Sequence, residues 1–346
     1  MEIRVYNSDL CFQGIIENQI SLIWTRKYFE AGDFELHTPL TDENIKLLKK
    51  GNILWKRDSV EAGVVEDLHI EESTSSSKII AKGRFLSSYL DRKIIKGTFS
   101  FNGTVENAIR ELYLLDPIPL VELGELNGFT EEVRFQATYK GLLNCEQKLA
   151  KGAGFGLRLR PDFKQRKIIF DIYKGTDRTT SQGINNRVVF SEGYNNLNNT
   201  IYRTNTQMYK NVAYVGGEGE GTNRKIIVVG DAEGLERREM FVDAKDIDSD
   251  GLTAAEYEEL LHRRGEEALA SSIETSSIEC DTGMDANFKY KEHYNLGDIV
   301  TVKKKEWGIT EDKRITEIRE IYENGGRRIE PTFGNALPEK IDWSDN

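Results

Sequence analysis

The densest run of potential metal ligands is Asp246, Asp248 and Asp250 followed by Gly251, which occupies positions 1, 3, 5 and 6 of a calcium-loop pattern. The twelfth position is Tyr257 rather than a bidentate glutamate, and the eighth is Thr253 rather than an apolar residue. These three aspartates are the candidate metal site, and calcium is the one cofactor they suggest. The competing reading is that they stand just ahead of a helix, where negative charge interacts favourably with the helix dipole.

Other chemistry is weaker still. The histidines, His37, His69, His262 and His293, make no HExxH and no closely spaced His/Cys set, which argues against a zinc hydrolase. Cys11, Cys145 and Cys280 are far apart and odd in number, with no CxxC, and read as reduced thiols. A Cys/His or Ser/His pair would have to be assembled from distant residues, and no spacing points to one. With 58 acidic residues some carboxylate pair always has a suitable separation for glycan hydrolysis, so abundance empties that signal. The GGEGEG stretch lacks a following GK[ST], and its glutamates would repel phosphate; it reads as a hairpin end, Gly216 to Asn223. No catalytic residue is expected.

Lys303, Lys304 and Lys305, with Arg327 and Arg328, could meet acidic patches of a neighbouring subunit or simply form a solvated strand face. Trp24, Trp55, Trp307 and Trp343 offer either core packing or interface anchors. The chain as a whole carries 47 basic and 58 acidic residues, net −11, which disfavours tight general binding to nucleic-acid phosphates. The same charge is compatible with DNA passing through a channel that must not hold it. The start, MEIRVYNSDL, has no basic segment leading an apolar one, and no run of about 18 apolar residues occurs, so a soluble product made in a cytoplasm is expected.

The elements that would carry these residues are mostly strands. Over the first ninety or so residues, IRVYN, ISLIWTRKYF, FELHTP, NILWK, GVVEDLHIE and KIIAKGRF alternate or are β-branched and read as antiparallel β, with one short helix in TDENIKLLKKG. EESTSSSK, Glu71 to Lys78, is a polar hairpin tip. Val105, Ile109, Leu112 and Tyr113 then share a helical face capped by Thr104 or Asn102, and a second helix is predicted at Lys140 to Lys151. FGLRLRP and KIIFDIY pair across PDFKQR, closing an α+β unit near Lys174. Strands return from Arg187. A helix with a Thr253/Glu256 capping box places Tyr257, Leu260, Leu261 and Leu269 on one side, and the last hairpin turns at Asn324-Gly325-Gly326.

The segment Leu48 to Ile70 echoes Leu296 to Ile318. Each has a glycine followed by Asn or Asp, Ile and an aliphatic residue, with a second glycine at 63 or 308. Chance is one account, since a glycine before a strand is common. Duplication is the other: two copies of one β-barrel, each followed by an inserted α+β unit. A homotrimer of such a chain would present six nearly equivalent units to a six-fold ring.

The stretches NVAYVGGEGEGTNRKIIVVGDAEGLERREMFVDAKDI, Asn211 to Ile247, and HYNLGDIVTVKKKEWGITEDKRITEIREIYENGGRRIEPTFG, His293 to Gly334, resemble the ReqiPepy-type siphophage tail protein family. That family is related to tail-associated lysin N-terminal domains and to the baseplate hubs of contractile tails. The resemblance implies a mainly β fold with α+β insertions: two hub-type β-barrel domains plus two smaller peripheral α+β domains. The boundaries expected are 1–95 for the first barrel, 96–180 for its insertion, 181–240 with 285–340 for the second barrel, and 241–284 for a helix-containing insertion.

The resemblance further implies a non-enzymatic homotrimer at the tail tip of a virion. It would lie between the distal tail protein ring, the tape measure protein and a tip fibre or lysin, with DNA only passing through. Because the sequence stops at Asn346, any lytic or receptor-binding module is expected on another polypeptide. A peptidoglycan- or glycan-degrading tail enzyme and a receptor-binding adhesin are the alternatives.

Overall fold

The computed structural model describes residues 1–73, 77–283, 286–323 and 326–334. Short alternating segments build the first β unit: β1 (Ile3–Tyr6), β2 (Phe12–Ile16), β3 (Ser21–Lys27), β4 (Asp33–Pro39), α1 (Asp42–Leu47), β5 (Ile53–Lys56), β6 (Gly63–Val64), β7 (Asp67–Glu72) and β8 (Ser77–Arg84). One sheet runs β2-β1-β5-β6, and the other runs β3-β4-β8-β7. Period-two alternation aims Leu22 and Trp24, Phe34 and Leu36, and Ile79 and Ala81 at Ile3, Val5 and Leu54 of the facing sheet, enclosing one core. Thr41 caps α1, its hydroxyl accepting from the Asn44 N–H at 3.2 Å.

An α+β unit follows: β9 (Thr98–Thr104), α2 (Val105–Leu114), β10 (Val121–Leu123), β11 (Glu132–Thr138), α3 (Leu142–Ala153), β12 (Gly156–Asp162) and β13 (Lys167–Tyr173). The helical face read from the sequence, Val105, Ile109, Leu112 and Tyr113, is buried in its core, and Thr104 is the cap. Gly154 ends α3 in the left-handed conformation that glycine adopts without strain.

The remaining elements are β14 (Val189–Ser191), β15 (Asn198–Asn205), β16 (Val212–Gly216), β17 (Ile226–Val229), β18 (Glu239–Asp243), α4 (Ala254–Ser271), β19 (Thr275–Asp281), β20 (Ile299–Lys304), β21 (Ile309–Glu323) and β22 (Gly326–Gly334). Division at residue 240 does not follow the packing. β16, β17 and β18 form their own three-stranded sheet against α4, sharing a core of Ala213, Val215, Val229, Tyr257, Leu260 and Leu261. β19, expected within a helical insertion, pairs with β15 and β22 instead. Alternation identifies a strand but not the sheet it joins. Here Gly265 decides the matter, because a side chain there would collide with Val215 and Val229, so only glycine lets α4 lie so close to these strands.

β21 bends between two sheets. Its first residues pair with β20; it then pairs with β22 on one edge from Ile315 and with β3 on the other from Glu317. The result is a continuous path of eight strands, β15-β19-β22-β21-β3-β4-β8-β7. Each half has one order: first, second, fourth and third strand of its own unit. β14 and β20, paired in parallel, cover the second half where the antiparallel β1 and β5 cover the first. The fold is thus mainly β, and each hub-like unit is two sheets around one core, with no closed ring of strands among the described residues. The insertions differ too. The α+β unit follows the first copy, whereas the β16–β18/α4 unit interrupts the second, between β15 and β19. Asn324 and Gly325, assigned to the last turn, lie outside the described residues, as do 74–76 of the polar tip.

The sequence echo has a geometric counterpart. Gly51 N–H donates to Val65 O and Val65 N–H to Asn52 O, both at 2.8 Å, while Gly297 N–H donates to Ile315 O and Ile315 N–H to Asp298 O, also at 2.8 Å. Both glycines are left-handed, with φ of 87° and 91°. The equivalence of Val65 with Ile315 also shows that the second glycines, Gly63 and Gly308, do not correspond, because the β20–β21 hairpin is longer. Gly51 has open space where a Cβ would be, but at Gly297 a Cβ would stand 2.2 Å from the Tyr28 ring. Gly51→Ala should therefore cost about 1–2 kcal/mol, the left-handed penalty alone, and Gly297→Ala distinctly more. Urea unfolding of the two variants checks the difference.

Candidate functional site

Three strands place a charge in phase with their buried residues. Arg26 follows Leu22 and Trp24 on β3, Lys56 follows Leu54 on β5, and Glu320 lies between Ile318 and Tyr322 on β21. All three converge where the two halves meet. Arg26 Nε donates to Glu61 Oε2 at 2.6 Å, and its Nη1 donates to the Tyr290 hydroxyl at 2.7 Å and to Asn295 Oδ1 at 3.2 Å. Lys56 Nζ donates to Glu320 Oε2 at 3.2 Å, an oxygen that also accepts from Tyr322 at 2.7 Å and from Arg327 at 2.9 Å. Lys291 Nζ lies 3.8 Å from Glu320 Oε1. Lys56 and Glu320 have side chains 1% and 0% exposed, so each charge is solvated by the other and by the groups around the pair, with Asp58 Oδ1 3.5 Å from the ammonium. Burial acts to raise the Glu320 carboxyl, but Lys56 and Lys291, with the Tyr322 hydroxyl and Arg327, hold it below the ordinary glutamate value.

The candidate calcium residues separate. Asp246 faces Arg264 at 3.2 Å and Lys140 at 3.8 Å. Asp248 accepts the Asp250 N–H at 2.9 Å, and both line a cavity of about 430 Å³ between β9, β11 and α4. Among the described residues no group of three or more His, Cys, Asp or Glu side chains is arranged to hold a metal. The capping box ahead of α4 forms, with Thr253 Oγ1 accepting from Glu256 N–H and Glu256 Oε2 from Thr253 N–H.

The other singled-out residues are spread over the surface and the cores. His37 meets Glu35 at 2.7 Å, His69 meets Glu71, and His262 meets Glu266 one helical turn on. His293 Nδ1 accepts from the Lys289 N–H. Cys145 and Cys280 are buried free thiols, and burial pushes Cys145 up to about 11. Lys304 pairs with Glu192, and Arg328 stands 3.9 Å from Glu323. Trp24 is fully buried, Trp55 half-buried and Trp307 exposed, while Trp343 lies outside the described residues. GGEGEG does join two antiparallel strands, β16 and β17, and is pinned by the Glu218 N–H donating to the Tyr257 hydroxyl at 2.7 Å.

Two broad surfaces remain. The face of the eight-strand sheet turned away from both cores carries acids answered by bases: Lys82 with Glu35 at 2.9 Å, Lys27 with Asp33 at 2.9 Å, Arg319 with Glu330 at 3.5 Å and Arg203 with Glu279 at 3.1 Å. The face of β16–β18 opposite α4 sets Val228, Tyr214 and Phe241 in one row, with Arg224 over Phe241 and Arg237 over Tyr214. No helix among the described residues is long and apolar enough to cross a membrane.

The model of the siphovirus ReqiPepy6 Gp37-like protein family matches residues 2–335, nearly the whole chain. The chain belongs to that family. Its fold is that of phage and prophage tail proteins. It resembles the tail protein of Neisseria meningitidis MC58 at a TM-score of 0.61 and 15% identity, covering 96% of each chain. It also resembles the 43 kDa tail protein of prophage MuSo2 from Shewanella oneidensis, with a TM-score of 0.59 and 15% identity over 96% of this chain and 98% of that one. Prophage tail protein gp18 of Listeria monocytogenes EGD-e follows at 0.55 and 15%, over 97% and 95%. No curated protein matches.

The buried cluster is hard to see in the sequence because its residues are scattered over some 300 positions, although charges in phase with buried neighbours are a usable signal. Glu320→Gln takes away the buried partner of Lys56, leaving it only the exposed Asp58 carboxylate 3.5 Å away, and should cost up to about 3–5 kcal/mol at pH 7. Because the folded carboxyl is held low, its contribution is present above the unfolded carboxylate value and lost as pH falls through the folded one. Urea midpoints at pH 7 and pH 3 should therefore differ less for the variant than for the native chain.

A second buried acid behaves oppositely. Glu146 on α3 is fully buried, and neither of its oxygens has a hydrogen-bond partner among the described residues, so burial raises it well above the ordinary value. Its contribution is complete below the unfolded carboxylate value and declines as pH rises, since only the unfolded chain then ionises. Glu146→Met should stabilise by about 1–3 kcal/mol at pH 7 and by less at pH 4, read from melting curves at the two values.

Proposed function

We propose that the protein is a structural hub at the tip of a phage or prophage tail, acting as a homotrimer. It would continue the tail tube and link the distal tail protein ring and tape measure protein to a tip fibre or lysin. The observation that carries this reading is the repeated strand order, β3-β4-β8-β7 and β15-β19-β22-β21. Two such β units per chain give six in a trimer, so a three-fold object could meet a six-fold ring. The reading treats these two units as the hub barrels and the two insertions as peripheral braces.

The dimensions agree with passage of a duplex. Eight strands in each of three copies make 24, and at about 4.8 Å between strands the perimeter is about 115 Å and the diameter about 37 Å. The sheet face turned from the cores suits such a lumen, because its paired charges leave little net field to hold a phosphate backbone. The exposed Val228 and Phe241, on either side of the half-buried Tyr214, favour a secondary role in contacting a host surface or a neighbouring tail protein.

Electron microscopy of intact tails, with this chain tagged, tests the assignment. Three copies around the axis at the distal tip are expected. Copies along the tube, at the neck, or present singly would overturn it.

A further inference from the structure

We infer that β7 of one copy pairs antiparallel with β15 of the next, in the register that β21 and β3 already show within the chain. This deepens the trimer reading and rests on it. β7 and β15 are the two ends of the eight-strand path, and neither has a further strand partner among the described residues.

The internal duplication fixes the register. The twin hydrogen bonds at Gly51 and Gly297 make Val65 equivalent to Ile315, so Asp67 to Glu72 correspond to Glu317 to Tyr322. Lys82 is opposite both Asp67 and Glu35, and Thr332 is opposite both Glu317 and Glu279, so Glu35 corresponds to Glu279. Ile23 lies opposite Glu35 and Ile201 opposite Glu279, which equates Ile23 with Ile201 and Trp24 with Tyr202. Within the chain Glu320 faces Trp24, and Ile318 faces Arg26. Between copies Ile70 must then face Tyr202, and Leu68 must face Thr204.

The chemistry of the two edges fits. Ile70 is 47% and Tyr202 37% exposed, an apolar and an aromatic residue standing in water on strands whose backbone groups are also free. Pairing covers both and sets them directly opposite, where such pairs stabilise sheets. On the other face His69 falls opposite Arg203, and Glu71 is its diagonal neighbour, so the carboxylate meets the guanidinium. The partner is therefore a second copy of this chain, joined head to tail, and this kind of contact closes into a ring.

Cysteine cross-linking tests the register in the full chain carrying Cys11→Ser. Ile70→Cys with Tyr202→Cys, and separately Leu68→Cys with Thr204→Cys, place thiols on directly opposed residues. Ile70→Cys with Arg203→Cys places them on opposite faces. Mild oxidation is applied to the purified protein and to assembled tails, with light scattering and particle symmetry measured in parallel. Covalent trimer from both matched pairs, about tenfold more than from the mismatched pair, is the expected result. Three-copy assemblies without matched cross-links overturn the register and leave the trimer standing. Absence of three-copy assemblies from both samples overturns the trimer reading as well.

Discussion

Six residue pairs, from Lys27–Glu317 to Leu22–Tyr322, join β3 to β21 across about 290 positions of chain. Closing so long a loop costs on the order of 5 kcal/mol in chain entropy, and every strand of the second half depends on it for its place in the common sheet. The seam offsets that cost by burying Trp24, Ile318 and Tyr28 and by enclosing the Arg26–Glu61 and Lys56–Glu320 pairs. Tyr28, just beyond β3, reaches furthest. Its hydroxyl donates to Gly154 O and accepts from the Gly175 N–H, tying the first β unit to the α+β unit and to the segment that leads into the second.

The duplication explains why so long a connection is tolerated. Each half encloses its own core, and the α+β unit between them does the same, so each can bury most of its apolar surface before the halves meet. The β16–β18/α4 unit is spliced into the β15–β19 connection, whose counterpart in the first half is the short turn between β3 and β4. It is braced against the α+β unit by Arg134–Glu259 at 3.3 Å, by Lys148–Glu267 at 2.8 Å and by Arg264 donating to Gln136 O. The two halves are therefore alike in their sheets and unlike at their outer rim. In the proposed ring of three copies, the strands would repeat six times and the insertions three.

Local pattern made the strands, helices, caps and hairpins of this chain legible, since alternation, the Val105–Tyr113 face and the Thr253/Glu256 box are all short-range signals. The Leu48–Ile70 echo was legible for the same reason, and Gly51 and Gly297 do turn out to share a conformation that only glycine takes easily. Sheet membership was not legible. Whether β16 or β19 belongs to the long sheet is decided by the helix packed on Gly265 and by partners distant in sequence. The buried charges went unnoticed because Arg26, Lys56 and Glu320 each look like ordinary surface residues until their parity is compared with that of Trp24, Leu54 and Ile318.

A chain that repeats one sheet has a pairing problem that its charges address. The edge of β3 could accept a neighbour's β7 as readily as its own β21, because the two strands are equivalent. In that mispaired state Ile70 would stand where Glu320 belongs, and Lys56 would lose its buried carboxylate and keep only the exposed Asp58. Pairing β21 with a neighbour's β15 would leave Glu320 facing Tyr202, away from Lys56. Either error breaks a buried pair, at up to about 3–5 kcal/mol, or a factor of about a hundred to a few thousand against the wrong partner. The proposed contact between copies carries no such penalty, since Ile70 and Thr204 occupy the positions that Glu320 and Arg26 hold inside the chain. The buried pairs thus reserve one seam for folding and leave the other for assembly.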